Sequence, residues 1–242
     1  MTLAGLDRGS PLLGVFLKSP DPDGARIVAA AGLDFAIVDL EHSTLGVHEA
    51  GRLVSVLADV GVAPIVRLAE PDAVTAARVL EAGAAAIQLS SVTSTAQVQL
   101  MRAALEFPPR GTRGASFAHR QANWGFASVD AYTGSQRPSL VIQIESATTT
   151  DPLADIVAAG ADAVFIGVED LRLSCAAAQV DLSARCAEIV EAATRAQMPW
   201  GQPAPADGIT ELAAQGATIF TIGADRAIYA AALADRVRAA RP

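Results

Sequence analysis

Eight short apolar runs alternating with eight alanine-rich amphipathic stretches predict an α/β fold, a single (β/α)8 barrel of the TIM type spanning residues 1–242. Two further observations support this. At 242 residues the chain has the length of one such barrel, which commonly runs to ~250 residues. Three of the apolar runs also end abruptly in acids: Phe35-Ala36-Ile37-Val38 in Asp39 and Glu41, followed by the imidazole of His42; Val141-Ile142-Gln143-Ile144 in Glu145; and Ala163-Val164-Phe165-Ile166 in Glu169 and Asp170. A strand buried on both faces reads as continuous hydrophobics, so charge packed at its exit asks for a reason. In barrels of this kind the carboxyl ends of the strands carry the chemistry. A doubly wound open sheet gives a similar local alternation and stays open as the alternative.

The elements follow in order. Strands are expected at 12–17, 35–40, 63–68, 85–89, 139–144, 162–167, 198–202 and 217–222, each a short apolar run. Helices are expected at 22–31, 48–59, 72–82, 95–105, 151–159, 182–197, 207–215 and 225–240. Five of them run into a glycine, at Gly32, Gly61, Gly83, Gly160 and Gly216, the residue that stops a helix best. The segment Glu106–Pro138 breaks the rhythm and reads as a long connection, which in a compact domain is functional or disordered. Its arginines, Arg110, Arg113, Arg120 and Arg137, either bind an anionic substrate or subunit or face solvent.

Composition narrows the function. The net charge is −8, with no basic run, which argues against nucleic acid as a partner. The mean hydropathy is +0.33, yet no apolar stretch approaches the ~20 residues of a membrane span. The first residues lack the pattern of a signal peptide, so a cytoplasmic location is expected. Cys175 and Cys186 have no zinc or redox spacing and read as ordinary thiols. Of the 18 basic residues only Lys18 is a lysine, so a Schiff-base route has one candidate.

Placed on a barrel, the polar strand exits converge: Asp39, Glu41 and His42 on the second strand, Arg67 on the third, Gln143 and Glu145 on the fifth, Asp170 after the sixth. Glu145 and Asp170, from adjacent strands, have the oxygen chemistry to chelate one hard divalent cation such as Mg²⁺ or Mn²⁺. Glu41 either joins that site or caps the following loop. His48, in the first turn of its helix, reads as a surface residue, and His119 lies in the long connection.

These residues resemble the HpcH/HpaI aldolases, class II metal-dependent pyruvate aldolases of the phosphoenolpyruvate/pyruvate barrel superfamily. The likeness runs in order through Ile37-Val38-Asp39-Leu40-Glu41-His42, Pro64-Ile65-Val66-Arg67 and Phe107-Pro108-Pro109-Arg110-Gly111-Thr112-Arg113-Gly114. It continues through Gln143-Ile144-Glu145, Phe165-Ile166-Gly167-Val168-Glu169-Asp170-Leu171 and Ile222-Gly223-Ala224-Asp225. The resemblance implies Glu145 and Asp170 as ligands of Mg²⁺, Mn²⁺ or Co²⁺. It implies Arg67 as the stabiliser of an enolate oxygen, with Gln143 and Gly167 beside the bound oxo-acid. His42 is the implied acid–base residue with Asp39 holding it. Glu81 matches a position, usually aspartate, that faces the histidine of a neighbouring subunit. A dimer-based hexamer with the last helix exchanged between paired subunits is implied as well. Metal and guanidinium together suit an enolate, a histidine suits proton transfer near neutrality, and the near-absence of lysine fits this route.

The expected reaction is therefore cleavage or formation of 4-hydroxy-2-oxo acids, giving pyruvate and an aldehyde. Two other readings stand beside it. One is a related carbon–carbon bond-forming enzyme that uses oxaloacetate or an acyl-CoA, like a citrate synthase or a citrate or malyl-CoA lyase. The other is a catalytically silent barrel with a binding role, which would be marked by loss of Glu145, Asp170, Arg67 or His42; all four are present. The sequence departs from the family at Ser90, where a proline is usual nearby, and at Val168, Glu169 and Arg172 in what reads as a loop after the sixth strand. These departures predict an unchanged metal–enolate core and an altered acceptor pocket.

Overall fold

The computed structural model describes residues 10–135 and 137–241. Strands β1 (Leu12–Leu17), β2 (Phe35–Asp39), β3 (Ala63–Leu68), β4 (Ala86–Leu89), β5 (Ser139–Ile144), β6 (Ala163–Ile166), β7 (Trp200–Pro203) and β8 (Ile219–Ala224) pair in chain order. All pairings are parallel, and β8 returns to β1, so the sheet is a closed barrel and the open-sheet alternative falls. Helices α1 (Pro22–Ala30), α2 (Val47–Asp59), α3 (Ala73–Ala82) and α4 (Thr95–Leu105) follow the first four strands. They begin where Asp21, Asp72 and Ser94 offer side-chain oxygens to free N–H groups, while α2 starts from Gly46. All five glycine stops take left-handed φ, from 79° at Gly32 to 122° at Gly160.

Strand alternation divides the core in two. Outward side chains such as Val38, Val66, Ile87, Ile142, Val164 and Phe220 pack under the helices. Inward ones, including Leu12, Phe16, Phe35, Ile37, Ile65, Val141, Phe165 and Ile219, fill the barrel. The same parity puts Asp39, Arg67, Gln88 and Gln143 inward at the carboxyl ends of their strands, so an apolar plug sits beneath a polar layer. Gly14 pairs in register with Phe35, and the Phe35 ring occupies the space a Cβ at Gly14 would need.

Two expectations are corrected. The connection 106–138 is not a structureless loop: it forms a short 3₁₀ segment (Arg120–Gly125) and helix α5 (Val129–Ser135). Its own small core of Phe107, Ala122 and Tyr132 holds it, with the rings of Phe107 and Phe117 edge-on to Tyr132 at 5.2 and 5.6 Å. Its arginines divide: Arg113 is buried, Arg120 binds Asp59 at 2.6 Å, Arg110 pairs with Glu106 at 3.2 Å, and Arg137 faces solvent. The stretch after β6 is likewise a helix, α7 (Val168–Ala178), because nothing between Val168 and Ala178 breaks one and Leu171 and Cys175 anchor it to the core.

Helices α6 (Leu153–Ala158), α8 (Leu182–Arg195) and α9 (Ile209–Ala214) complete the ring, and α10 (Asp225–Ala240) is the exception. No residue of α10 is buried, and Ile228, Tyr229, Leu233 and Val237 are all substantially exposed. Only its start is pinned: Asp225 accepts the N–H groups of Lys18 (3.1 Å) and Ser19 (2.9 Å) at the end of β1. Among the described residues, no helix is long and apolar enough to cross a membrane.

Replacing Gly14 by alanine is expected to overpack the plug against Phe35 and to lower stability by about 1–3 kcal/mol, read by urea unfolding. Unchanged stability would show that the Phe35 ring gives way freely.

Candidate active site

The site begins with one charge pair. Asp39 and Arg67 are register partners on the parallel strands β2 and β3, so their side chains project from the same face and meet. Arg67 donates from Nε to Asp39 Oδ1 at 2.9 Å and from Nη2 to Oδ2 at 2.6 Å, a bidentate pair with both residues buried. The backbone N–H groups of Glu41 and His42 reach Asp39 Oδ1 at 3.1 Å each, and Lys18 Nζ lies 3.2 Å from Oδ2. Burial pushes the Asp39 carboxyl up, but the Arg67 hydrogen bonds and charge, the His42 N–H and the Lys18 charge outweigh it and hold it at about 2. Lys18, the one Schiff-base candidate, is thus ion-paired at the site. The Arg67 guanidinium also lies 4.7 Å over the Phe16 ring.

From this pair the network spreads along the barrel mouth. Glu41 accepts from Ser90 Oγ at 2.7 Å and lies 3.3 Å from Arg67 Nε and 3.7 Å from His42 Nε2. It therefore belongs to the inner network and does not cap the loop. Gln88 donates to Gln143, and Gln143 donates to Glu145 Oε2. Ser91 donates to Glu145 Oε1 from its N–H at 2.8 Å and from its Oγ at 2.6 Å. Gly167 closes this corner: a Cβ there would strike Glu145 Oε2 and Gln143 Nε2.

His42 stands at the open edge, half-exposed, with Nε2 4.0 Å from Asp170 Oδ2 in the first turn of α7. Asp39 holds His42 through the backbone N–H, while its imidazole faces Glu41 and Asp170. Among the described residues, no three or more His, Cys, Asp and Glu side chains cluster closely enough to bind a metal by themselves. Mg²⁺ and Mn²⁺ do not require that, since one or two carboxylates suffice and water and substrate supply the rest. Glu145, which accepts from three donors and borders a bare Gly167, and Asp170, half-exposed beside His42, are carboxylates of the oxygen chemistry such an ion takes.

Other residues fall elsewhere. Glu81, in the last turn of α3, lies 3.9 Å from His119 Nε2 and apart from the Asp39 network. His119 stacks edge-on to Tyr132 at 5.3 Å and its Nε2 donates to the Ser116 carbonyl at 2.8 Å, so it belongs to the connection's own core. His48 is exposed on α2, as its place in the sequence predicts. Sequence reasoning missed Gln88 and Ser91. A lone amide in the apolar run Ala86–Leu89 was a usable signal for the first; nothing local marked the second.

Residues 12–232 match the family profile described as HpcH/HpaI aldolase/citrate lyase. A 2-dehydro-3,6-dideoxy-6-sulfogluconate aldolase from Pseudomonas putida is 32% identical over 171 residues, 70% of this chain and 67% of that one. A 2-keto-3-deoxy-L-rhamnonate aldolase from Shigella boydii is 29% identical over 242 aligned positions, 96% of this chain and 90% of its own. The crystal structure of an HpcH/HpaI aldolase from Desulfitobacterium hafniense is similar with a TM-score of 0.84 at 26% identity, covering 100% of this chain and 97% of that one.

The depressed Asp39 carboxyl makes a stability prediction. Its folded-state pKa lies below its ordinary value of 3.8, so its contribution is complete above that value and is lost as pH falls toward about 2. The contribution is about 2 kcal/mol. Urea unfolding at pH 4 and pH 2 is expected to show the wild type losing about that much more than Asp39→Asn. At pH 7 the same variant, which leaves Arg67 and Lys18 without their carboxylate, is expected to be less stable by about 3 kcal/mol.

Proposed function

The chain belongs to the HpcH/HpaI aldolase/citrate lyase family, and we propose that it is a divalent-metal-dependent aldolase that cleaves or forms 4-hydroxy-2-oxo acids, yielding pyruvate and an aldehyde. The observation that carries this reading is the convergence at one barrel mouth of a fixed guanidinium, a boxed carboxylate and an accessible imidazole. Arg67 is immobilised by Asp39, Glu145 by Ser91 and Gln143, and His42 stands at the edge 4.0 Å from Asp170.

Glu145 and Asp170 would hold the cation, Mg²⁺, Mn²⁺ or Co²⁺. Such an ion supplies Lewis acidity toward the carboxylate and keto oxygens of the oxo-acid. In the cleavage direction neutral His42 takes the proton of the C4 hydroxyl, the C4–O electrons close the aldehyde carbonyl, and the C3–C4 bond breaks. The released electron pair moves toward C2 and leaves negative charge on its oxygen. Arg67 meets that charge with donors already oriented, since Nε and Nη2 are anchored on Asp39 while Nη1 carries none of those bonds. Protonation at C3 then gives pyruvate. Gln143 and Gly167 shape the floor beside the oxo-acid, with no side chain at Gly167 to fill it. Arg172 is exposed in α7, two residues after Asp170, and on this reading it contributes to the acceptor pocket.

The reading extends to assembly and location. On α10, Tyr229, Leu233 and Val237 recur at four-residue spacing on a helix that buries nothing, and Ile222 on the outer face of β8 is exposed where a covering helix belongs. An exchange of α10 with a second copy, within a dimer-based hexamer, would cover both. Two free cysteines fit a reducing compartment such as the cytoplasm.

Proton NMR of pyruvate in D₂O tests the chemistry without requiring the acceptor. Methyl-proton exchange is expected with Mg²⁺ or Mn²⁺ and is expected to stop on adding EDTA; Arg67→Lys should slow it on the order of 100-fold. Absence of exchange under every metal condition would sink the aldolase reading. For assembly, glutamate at both Leu233 and Val237 is expected to shift light-scattering mass toward smaller species; an unchanged mass would remove α10 from the interface.

A further inference from the structure

Two adjacent serines leave β4 and take hold of two different carboxylates. Ser90 is fully buried, and its hydroxyl donates to Glu41 Oε2 at 2.7 Å. Ser91, next in the chain, is exposed at the mouth and adopts a left-handed φ of 50°, a conformation that disfavours any residue with a Cβ. In that conformation its N–H and Oγ both donate to Glu145 Oε1, at 2.8 and 2.6 Å. The carboxylates they hold have different neighbours. Glu41 lies within 3.3 Å of Arg67 Nε and 3.7 Å of His42 Nε2. Glu145 is otherwise held by Gln143, which Gln88 holds in turn.

We propose that the pair divides the work of positioning: Ser91 orients Glu145 and thereby sets divalent-cation affinity, whereas Ser90 orients Glu41 and, through it, Arg67 and His42. The inference rests on the reading of Glu145 as a metal ligand given above. Its physical basis is that a ligand carboxylate held beforehand loses little side-chain freedom on binding, so partners behind the ligands count almost as much as the ligands. Strain at Ser91 is kept where both of its donors meet one oxygen, and relieving it by another turn would break both bonds.

The test is Mn²⁺ binding, followed by the electron paramagnetic resonance signal of the free ion, on the wild type and on Ser91→Ala, Ser91→Gly and Ser90→Ala. Ser91→Gly keeps the N–H and suits the left-handed φ, so it isolates the hydroxyl from any folding defect, and thermal unfolding of each variant checks the rest. Both Ser91 variants are expected to raise the Mn²⁺ Kd on the order of 10-fold with an unfolding midpoint close to wild type. Ser90→Ala should leave that Kd within about twofold while slowing pyruvate exchange at saturating Mn²⁺ on the order of 10-fold. Wild-type affinity in both Ser91 variants would overturn the role of Ser91, and an equal loss of affinity in Ser90→Ala would overturn the division. If the wild type itself binds no Mn²⁺, the metal reading fails and the inference falls with it.

Discussion

The buried ion pair between Asp39 and Arg67 is the constraint from which the rest of the mouth is built. A guanidinium inside a barrel is unfavourable unless its charge is met and its donors are filled. Parallel register does both, because residues opposite each other on β2 and β3 point the same way and bring fork and carboxylate together. Asp39 does not stop there: it gathers two backbone N–H groups and Lys18, which sets the path of the chain into Glu41 and His42. The direction in which His42 leaves the strand is thus a consequence of how the carboxylate is satisfied.

At the mouth, the buried polar groups of strands β4 and β5 and the acid that follows β2 are tied to this pair or to Glu145 by short links. Glu41 joins Ser90 to Arg67, and Gln88 joins β4 to Gln143 and so to Glu145. Satisfied networks of this kind rigidify a site, since each group is oriented by the next. His42 and Asp170 sit outside that rigid set, half-exposed on the segments that follow β2 and β6. In the reaction proposed above, that contrast would fix charge stabilisation in the floor and leave proton transfer at the rim.

Much of this was legible in the chain. The apolar runs ending in Asp39, Glu145 and Asp170 gave the strands, their carboxyl ends and the candidate residues together, because a buried parallel strand tolerates charge only where it exits. Other features were not legible. The stretch after β6 read as a loop although Val168–Ala178 is an uninterrupted helical run, because only its packing through Leu171 and Cys175 fixes it as a helix. The segment 106–138 hid its order because Phe107, Ala122 and Tyr132 form a core only when residues far apart in sequence meet. Ser91 gave no local sign, since its role depends on a left-handed backbone and on a carboxylate 54 residues away.

By itself the sequence determined the alternation of strands and helices, where the strands exit and which polar side chains those exits carry, since periodicity and helix stops are local properties. Closure of β8 onto β1 was a matter for the tertiary structure, and so were the bidentate grip of Arg67 on Asp39 and the boxing of Glu145 between Ser91, Gln143 and Gly167. Those depend on register between strands distant in the chain. A single sequence carries the residues that meet there, but the distances and angles at which they meet are set only when the barrel closes.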